Sequence, residues 1–306
     1  MPSGRALALG ALLLSSLIWG ANTPIMKWTL ASVPLFSLAF ARFYLATILI
    51  FPFVVKKLKI ERVDWPKIIL AGLFGITFNV TSFFLGLKFT FAVNAALIIA
   101  TIPIFTIFAA QIFLRERIDT KFTIATIVAV LGLLLIIGPP IVTAGLTHLV
   151  GAVFLILAAL FWVGYEIVSK NLFKKYSPET VTFYSFLIGS VTFLPLFLVE
   201  LFSSSWITQL GTQGLIGIFY GAVFSSTLAY FAWQYGLSKI AATEASFFFY
   251  LDPISGILIA IPLLGEKITP IFLVGAVLIF TAIFLAEHKR KEHPHLKLTA
   301  YKSFDN

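Results

Sequence analysis

The chain is 306 residues long with a formal net charge of +9, and it is 59% hydrophobic but only 11% charged. Soluble proteins average roughly 45–50% apolar and 25% charged residues. A mean hydropathy of +1.01 and thirty-three phenylalanines therefore exclude a soluble domain with one core and a polar surface, and with no cysteine there is no disulfide framework, thiol nucleophile or cysteine metal site.

Apolar runs of about 20 residues, each suited to the thickness of a bilayer, recur from end to end. Loop signals divide them into ten segments: 6–27, 34–55, 67–87, 92–114, 121–138, 149–169, 180–201, 213–236, 242–264 and 270–287. Backbone groups in lipid must be satisfied within their own segment and barrel-type alternation is absent, so each run is read as a helix. The first run is long enough to span and lacks a small-residue cleavage site, so it is read as a retained span rather than a signal peptide. The connections are short, which leaves no room for an inserted soluble domain.

Lysines and arginines orient the spans. On the side where segment 6–27 begins there are eighteen: Arg5, five in 56–67, three in 115–121, three in 170–175, Lys239 and five after 288. The opposite side holds three, Lys27, Lys88 and Lys267, and Arg42 lies within a span. This bias predicts both termini in the cytoplasm, with 288–306 as a basic tail, and it makes the positive charge an orientation signal rather than a nucleic-acid surface. His288, His293 and His295 sit in that tail and His148 in a loop; no metal site is assigned to them.

Polar groups inside the spans are the candidate functional residues, in chain order Trp19, Asn22, Arg42, Asn79, Trp162, Tyr165, Tyr230, Gln234 and Asp252. Arg42 lies about eight residues from the outer end of its span, where an arginine costs at least ~2.5–3.5 kcal/mol, so it should face a cavity or a partner. Trp19 and Trp162 lie well inside their spans, away from the interfacial belt that tryptophan favours. With Phe83, Tyr230, Trp233 and Tyr250 they suggest an apolar-aromatic pocket. Asp252 directly precedes Pro253, and a proline frees the carbonyl four residues back, here Phe249, and kinks the helix. That pattern suits a gate, a proton carrier or a counter-charge for Arg42. Glu166, four residues before Lys170, reads as half of a local ion pair. Lys27 and Lys170 end helices, where cations favour the dipole. Glu116 and Glu266 read as structural ties within helix hairpins. There is no Walker loop, no G-x-S-x-G motif and no intramembrane histidine beside a serine, so the chain is not read as an enzyme and no cofactor is expected.

The stretch WGANTPIMK at 19–27 has a second version, WVGYEIVSK, at 162–170, and an offset of 143 aligns Trp19 with Trp162 and Lys27 with Lys170. An offset of 150 aligns Gly86-Leu87 with Gly236-Leu237, Pro103 with Pro253 and Glu116 with Glu266, with eleven identities in 33 positions over 86–118 against 236–268. The seven extra residues fall most simply in the loop 200–212. Each half then has five helices, and an odd number inverts the second half relative to the first. Inverted repeats are an architecture of alternating-access carriers, with the substrate site near the midplane.

The residues WGANTPIMK, the following LAFARFYLA at 38–46, and the paired P-x12-E segments ending LRERI and LGEKI resemble the EamA domain. Two such domains make up the ten-helix carriers of the drug/metabolite transporter superfamily. The resemblance implies an all-α polytopic membrane protein with five-helix repeats at 6–138 and 149–287. It also implies secondary transport of small metabolites, often export, as in the YddG-like amino acid exporters. The second half departs from the pattern, with Tyr165 in place of Asn22 and Ser185 in place of Arg42, so the halves need not contribute equally.

The expectation is a monomeric carrier in the plasma or inner membrane, binding substrate through the polar and aromatic residues above and moving on Pro103, Asp252 and Pro253. Its partners are a small molecule, a coupling proton and lipid. Two rivals stand beside it. An importer or exchanger of phosphorylated or nucleotide-linked sugars needs more cationic cavity residues than Arg42 alone. A lipid-handling factor without solute flux would have a lipid-open groove lined by cations.

Overall fold

The computed structural model describes residues 3–116, 120–142 and 146–265, with isolated positions between 270 and 285. Its helices are α1 Ser3–Thr29, α2 Leu35–Val54, α3 Arg62–Phe89, α4 Ala92–Ile99 and α5 Ile102–Leu114. They continue with α6 Thr120–Val142, α7 Leu146–Leu172, α8 Pro178–Ser203, α9 Thr212–Lys239 and α10 Ala242–Leu264. No strand occurs among the described residues. Seven of these helices, α1, α2, α3, α7, α8, α9 and α10, are long and apolar enough to cross a bilayer. The chain is therefore a multi-pass membrane protein. The fourth predicted segment is divided into α4 and α5. Glu266, Lys267, much of segment 270–287 and the tail 288–306 lie outside the described residues.

The helices follow from their sequences. Along α2, Leu38, Arg42, Phe43, Ala46, Thr47 and Ile50 are buried while Tyr44, Leu45, Ile48 and Leu49 are exposed, the stripe of a helix with one face on protein and one on lipid. That buried face lies against α8, which opens with Ser177 accepting from Thr180 N at 3.4 Å and with Pro178 in its first turn.

The duplication extends to element boundaries. Adding 143 to the bounds of α1 gives those of α7, and adding 150 to those of α3 gives those of α9. The same 150 takes α5 to Asp252–Leu264, the α-helical end of α10. It also takes Arg115, at φ 56°, to Gly265, at φ 72°, so both helices close on a left-handed residue. Glycine adopts that conformation freely, whereas arginine is strained there.

Contacts repeat in the same register. α1 packs on α9 and α10, whereas α7 packs on α3, α4 and α5, so the first helix of each half lies against the third and fourth segments of the other. A Cβ on Gly86 would come 2.5 Å from Leu155 Cγ, and one on Gly236 would come 2.5 Å from Leu12 Cγ. Both glycines thus permit the same close helix crossing. Lys27 donates to the carbonyls of Leu87 and Thr90 at the end of α3, and Lys170 donates to those of Leu237 and Ile240 at the end of α9. Three residues meet their own counterparts: Trp19 and Trp162 at 5.0 Å between rings, Phe43 and Phe186 at 5.3 Å, and Thr47 and Ser190 at 3.5 Å. Self-matching contacts of this kind are what a two-fold exchange of equivalent patches produces.

Carboxylates close several helix ends. Glu116 accepts from Ala242 N at 2.8 Å, Thr243 N at 3.1 Å and Thr243 Oγ1 at 2.8 Å. It therefore caps α10 in the other half, where the sequence suggested a tie within its own hairpin. Glu200 does the same for α2, accepting from Phe36 N at 3.2 Å and Ser37 N at 2.6 Å. Both satisfy amide groups that have no partner inside their helix and complement its dipole. In the turn before α8, Lys175 bonds to Asp64 at 3.0 Å and Glu61 at 3.1 Å. The bond to Asp64, with the smaller help of Glu61, raises the Lys175 pKa above the usual lysine value.

Candidate substrate cavity

α3, α9 and α10 each depart from regular α-helix near mid-length. α3 is π-helical over Leu73–Phe78 and α9 over Tyr220–Leu228, corresponding positions of the two halves. Wide turns of this kind inside α-helices often mark functional sites. α10 runs as a 3-10 helix over Phe247–Leu251, where Asp252 N–H donates to the Phe249 carbonyl, and becomes α-helical at Asp252. Pro253 thus occupies the first turn of the α-helical part, where its missing N–H costs little. Pro103 holds the matching place at the start of α5. At Pro253 the helix changes from 3-10 to α without interruption, and the Phe249 carbonyl that the proline would free accepts from Asp252 N–H.

These irregularities surround a cavity of about 520 Å³ of empty space, counting its mouth. Trp19, Asn22 and Thr23 of α1 line it with Arg42 of α2, and Asn79, Val80 and Phe83 of α3. The remaining lining comes from Ile99, Ile102, Trp162, Ser225, Tyr230, Phe249 and Asp252. One wall is an aromatic layer. Trp19 meets Trp162 edge-on at 5.0 Å and Tyr230 at 5.2 Å, and stacks on Phe249 at 5.9 Å with the planes 4° apart. Trp19 Nε1 donates to the Ser225 carbonyl at 3.0 Å, which fixes the ring. Tyr230 is held by a bond from its hydroxyl to the Gly75 carbonyl at 3.3 Å.

Arg42 is 3% exposed, and donates from Nε to Ser226 Oγ at 2.9 Å and from Nη2 to Ser225 Oγ at 3.0 Å. Its Cζ lies 4.7 Å from the centre of the Phe43 ring and 5.8 Å from that of Phe84, within reach of cation–π attraction. Among the described residues no carboxylate lies within 4 Å of it, so Asp252 is not its direct ion-pair partner. Asp252 is 4% exposed, and its Oδ1 has no hydrogen-bond partner. Asn22 Oδ1 is likewise buried without a partner, while Asn79 donates to the Ala158 carbonyl at 2.8 Å. A buried polar atom left open in a cavity is a place for a ligand or ordered water. The arrangement offers a cation at Arg42, an anion or its protonated form at Asp252, amides, and a flat aromatic wall.

Seven of the nine polar and aromatic candidates therefore surround one space. Tyr165 and Gln234 do not: both are fully buried beyond the aromatic layer, and Gln234 Nε2 donates to Ser169 Oγ at 3.2 Å. Ser225, Ser226 and Thr23 are not among the residues that the sequence marks, and Phe249 is marked there for its carbonyl and not for its ring. The adjacent serines in an otherwise apolar span are a readable signal for Arg42's partners, whereas nothing marks the Phe249 ring among so many phenylalanines.

A multi-spanning bundle whose irregular helices surround a partly polar cavity with a mouth has the build of a membrane transport protein. The comparisons give the family. The chain belongs to the EamA-like transporter family, which matches residues 6–138 and 149–287. It is 31% identical over 284 residues to the uncharacterized transporter YyaM of Bacillus subtilis, covering 89% of this chain and 90% of that one. It is 28% identical to an uncharacterized transporter of Archaeoglobus fulgidus, over 91% and 98% of the two chains. It is also 28% identical to the S-adenosylmethionine uptake transporter of Rickettsia conorii, over 92% and 93%. A crystal structure with 15% sequence identity shares the fold, with a TM-score of 0.78 over 94% of this chain and all of the other.

Proposed function

We propose that the chain is a secondary carrier that exports small amphipathic metabolites, with amino acids and related compounds first, by alternating access. The observation that carries this reading is the shared cavity in which Arg42 and Asp252 accompany an aromatic wall. Arg42 suits a carboxylate, Asp252 suits an ammonium or a coupling proton, and the tryptophans suit an apolar side chain. Such a lining is mostly apolar with a few orienting groups, as in many small-molecule sites. In this reading the chain has ten spans in two inverted repeats, 6–138 and 149–287, sits in the plasma membrane as a monomer, and has both ends in the cytoplasm. The repeated boundaries and the charge bias support that arrangement.

Import is the second reading, favoured by the uptake function in the names of the Rickettsia relatives. S-adenosylmethionine carries an amino acid end and a sulfonium cation, so it fits the same pair of charges. A single cavity arginine gives phosphorylated or nucleotide-linked sugars less support.

The test is purified protein in liposomes, offered a metabolite mixture that includes amino acids and S-adenosylmethionine, with and without a pH gradient. Flux that Arg42→Ala and Asp252→Asn each abolish, at unchanged melting temperature, supports the carrier. No flux from folded protein across the panel, or lipid movement in its place, sinks it.

A further inference from the structure

Beyond the aromatic layer, on the side away from the cavity, lies a second set of polar groups that the cavity does not use. Glu166 of α7 is one turn beyond Trp162 and 0% exposed. Its Oε2 accepts from Thr106 Oγ1 of α5 at 2.8 Å, and its Oε1 has no partner. The Trp162 and Trp233 indoles face its carboxyl, and Tyr165 sits nearby with Gln234 and Ser169. The local ion pair expected with Lys170 is absent: the Lys170 ammonium is given to the carbonyls of Leu237 and Ile240. Among the described residues no cationic side chain lies within 4 Å of Glu166.

An ionised carboxylate that is fully buried with no cation within 4 Å is costly to hold inside a helical bundle. In the sealed arrangement the group must therefore hold a proton. α1 and α7 run antiparallel, because Lys170 and Gly236 place the end of α7 beside Ala8 and Leu12 at the start of α1. Asn22 and Glu166 consequently lie on opposite sides of the Trp19–Trp162 pair. What separates Glu166 from the nearer face is a set of contacts that can part: Lys170 on its two carbonyls, Glu116 on the α10 amides, and the Arg5–Glu244 ion pair. The charged groups that act on Glu166 are Lys170 from its own helix and Glu116 from the end of α5. α5 also presents the Thr106 hydroxyl, α7 the Trp162 indole and α9 the Trp233 indole.

We propose that Glu166 is a proton-carrying carboxyl, protonated while its side of the aromatic layer is sealed and ionised when that side opens to water. The step is a simple one: a carboxylate oxygen takes a proton from water at that face on closing, and returns it on opening. It rests on the carrier reading and adds to it a second acid, distinct from Asp252, on the opposite side of the tryptophans. Proton binding then favours the sealed state and proton loss the open one, because a ligand shifts an equilibrium toward the state that binds it better.

The chain has no cysteine, so single cysteines report opening directly. Ser169→Cys, beside Gln234 and Glu166, is reacted with N-ethylmaleimide in lipid nanodiscs from about pH 5.5 to about pH 8.5, in the native and Glu166→Gln backgrounds. Dividing one rate by the other removes the thiol's own titration. The expected ratio rises with pH, by at most about tenfold per unit over part of the range, and Glu166→Asp retains the rise. Gln234→Cys provides a second reporter should Ser169→Cys fold poorly. A ratio that is flat with pH at both positions overturns the proposal. Solute movement plays no part in the readout, so a flat ratio in a protein that transports removes the proton site alone. A rising ratio in a protein that moves nothing retains the site and removes the carrier.

Discussion

Replacing Gly20 with alanine should force α1 away from α10 beside the cavity. A Cβ at Gly20 would fall 1.7 Å from Ser255 Oγ, 2.9 Å from Ser255 Cβ and 2.5 Å from the Asp252 carbonyl oxygen. The serine hydroxyl can rotate, since it holds the Leu251 and Asp252 carbonyls only at 3.3 Å. The carbonyl oxygen belongs to the backbone and cannot. Restoring an ordinary contact needs a retreat of roughly an ångström, and overpacking of this kind costs about 1–3 kcal/mol. The better helix propensity of alanine returns up to about 1 kcal/mol, leaving a net loss of about 1–2 kcal/mol. At about 2–4 °C per kcal/mol for chains of a few hundred residues, the melting temperature should fall by several degrees. Thermal unfolding in detergent, followed by tryptophan fluorescence, measures it. Adding Ser255→Ala should recover part of the loss but leave the carbonyl clash. Gly20→Ala that melts at or above the native temperature would refute the reasoning, as would full recovery by Ser255→Ala.

Arg42→Lys keeps the charge but cannot hold Ser225 and Ser226 together, so substrate affinity should weaken by about tenfold; an unchanged half-saturation constant in liposome flux would show that the fork is idle. Glu116→Gln should lower stability by about 1 kcal/mol through loss of charge-assisted bonds to the α10 amides, seen as a fall in melting temperature, and an unchanged value would deny the cap its role. Arg115→Gly should raise stability by about 1 kcal/mol by relieving a left-handed arginine, whereas Gly265→Ala should lower it; equal small effects of both would remove strain as the cause. Reporters at 56–66 and 290–306 should read cytoplasmic and those at 140–147 and 203–212 external, and a cytoplasmic signal from either of the latter would break the inverted arrangement.

Much of this layout was legible because a bilayer enforces it. The lengths of the apolar runs placed the helices within a few residues, as α1 against 6–27 and α9 against 213–236 show. Polar residues inside those runs are costly enough to need a reason, and that alone drew Asn22, Arg42, Asn79 and Asp252 to one cavity. Partners were not legible. Arg42 meets two serines of α9, Glu116 meets amides of α10 and Glu166 meets Thr106 of α5, each across 60 residues or more of sequence. A local pattern such as Glu166 four residues before Lys170 suggests an i, i+4 pair, but helix packing offered Lys170 the unfilled carbonyls at the end of α9 instead. Tyr165 and Gln234 show the same blind spot: depth can be counted along a helix, but that the Trp19, Trp162 and Tyr230 rings meet and close the cavity off from both residues is set by contacts between helices.

Because α1 packs on α9 and α10, while α3 to α5 pack on α7, neither half completes its own interior. During synthesis the leading helices must wait in the lipid, their intended neighbours still on the ribosome. Small residues such as Gly20 and Gly86 then face acyl chains in place of protein. Contacts separated by this much chain cannot form until the later helices have been made, so they come after the first half is inserted. A chain cut between the repeats should therefore yield two fragments that are each poorly packed alone yet restore one another when made in the same cell.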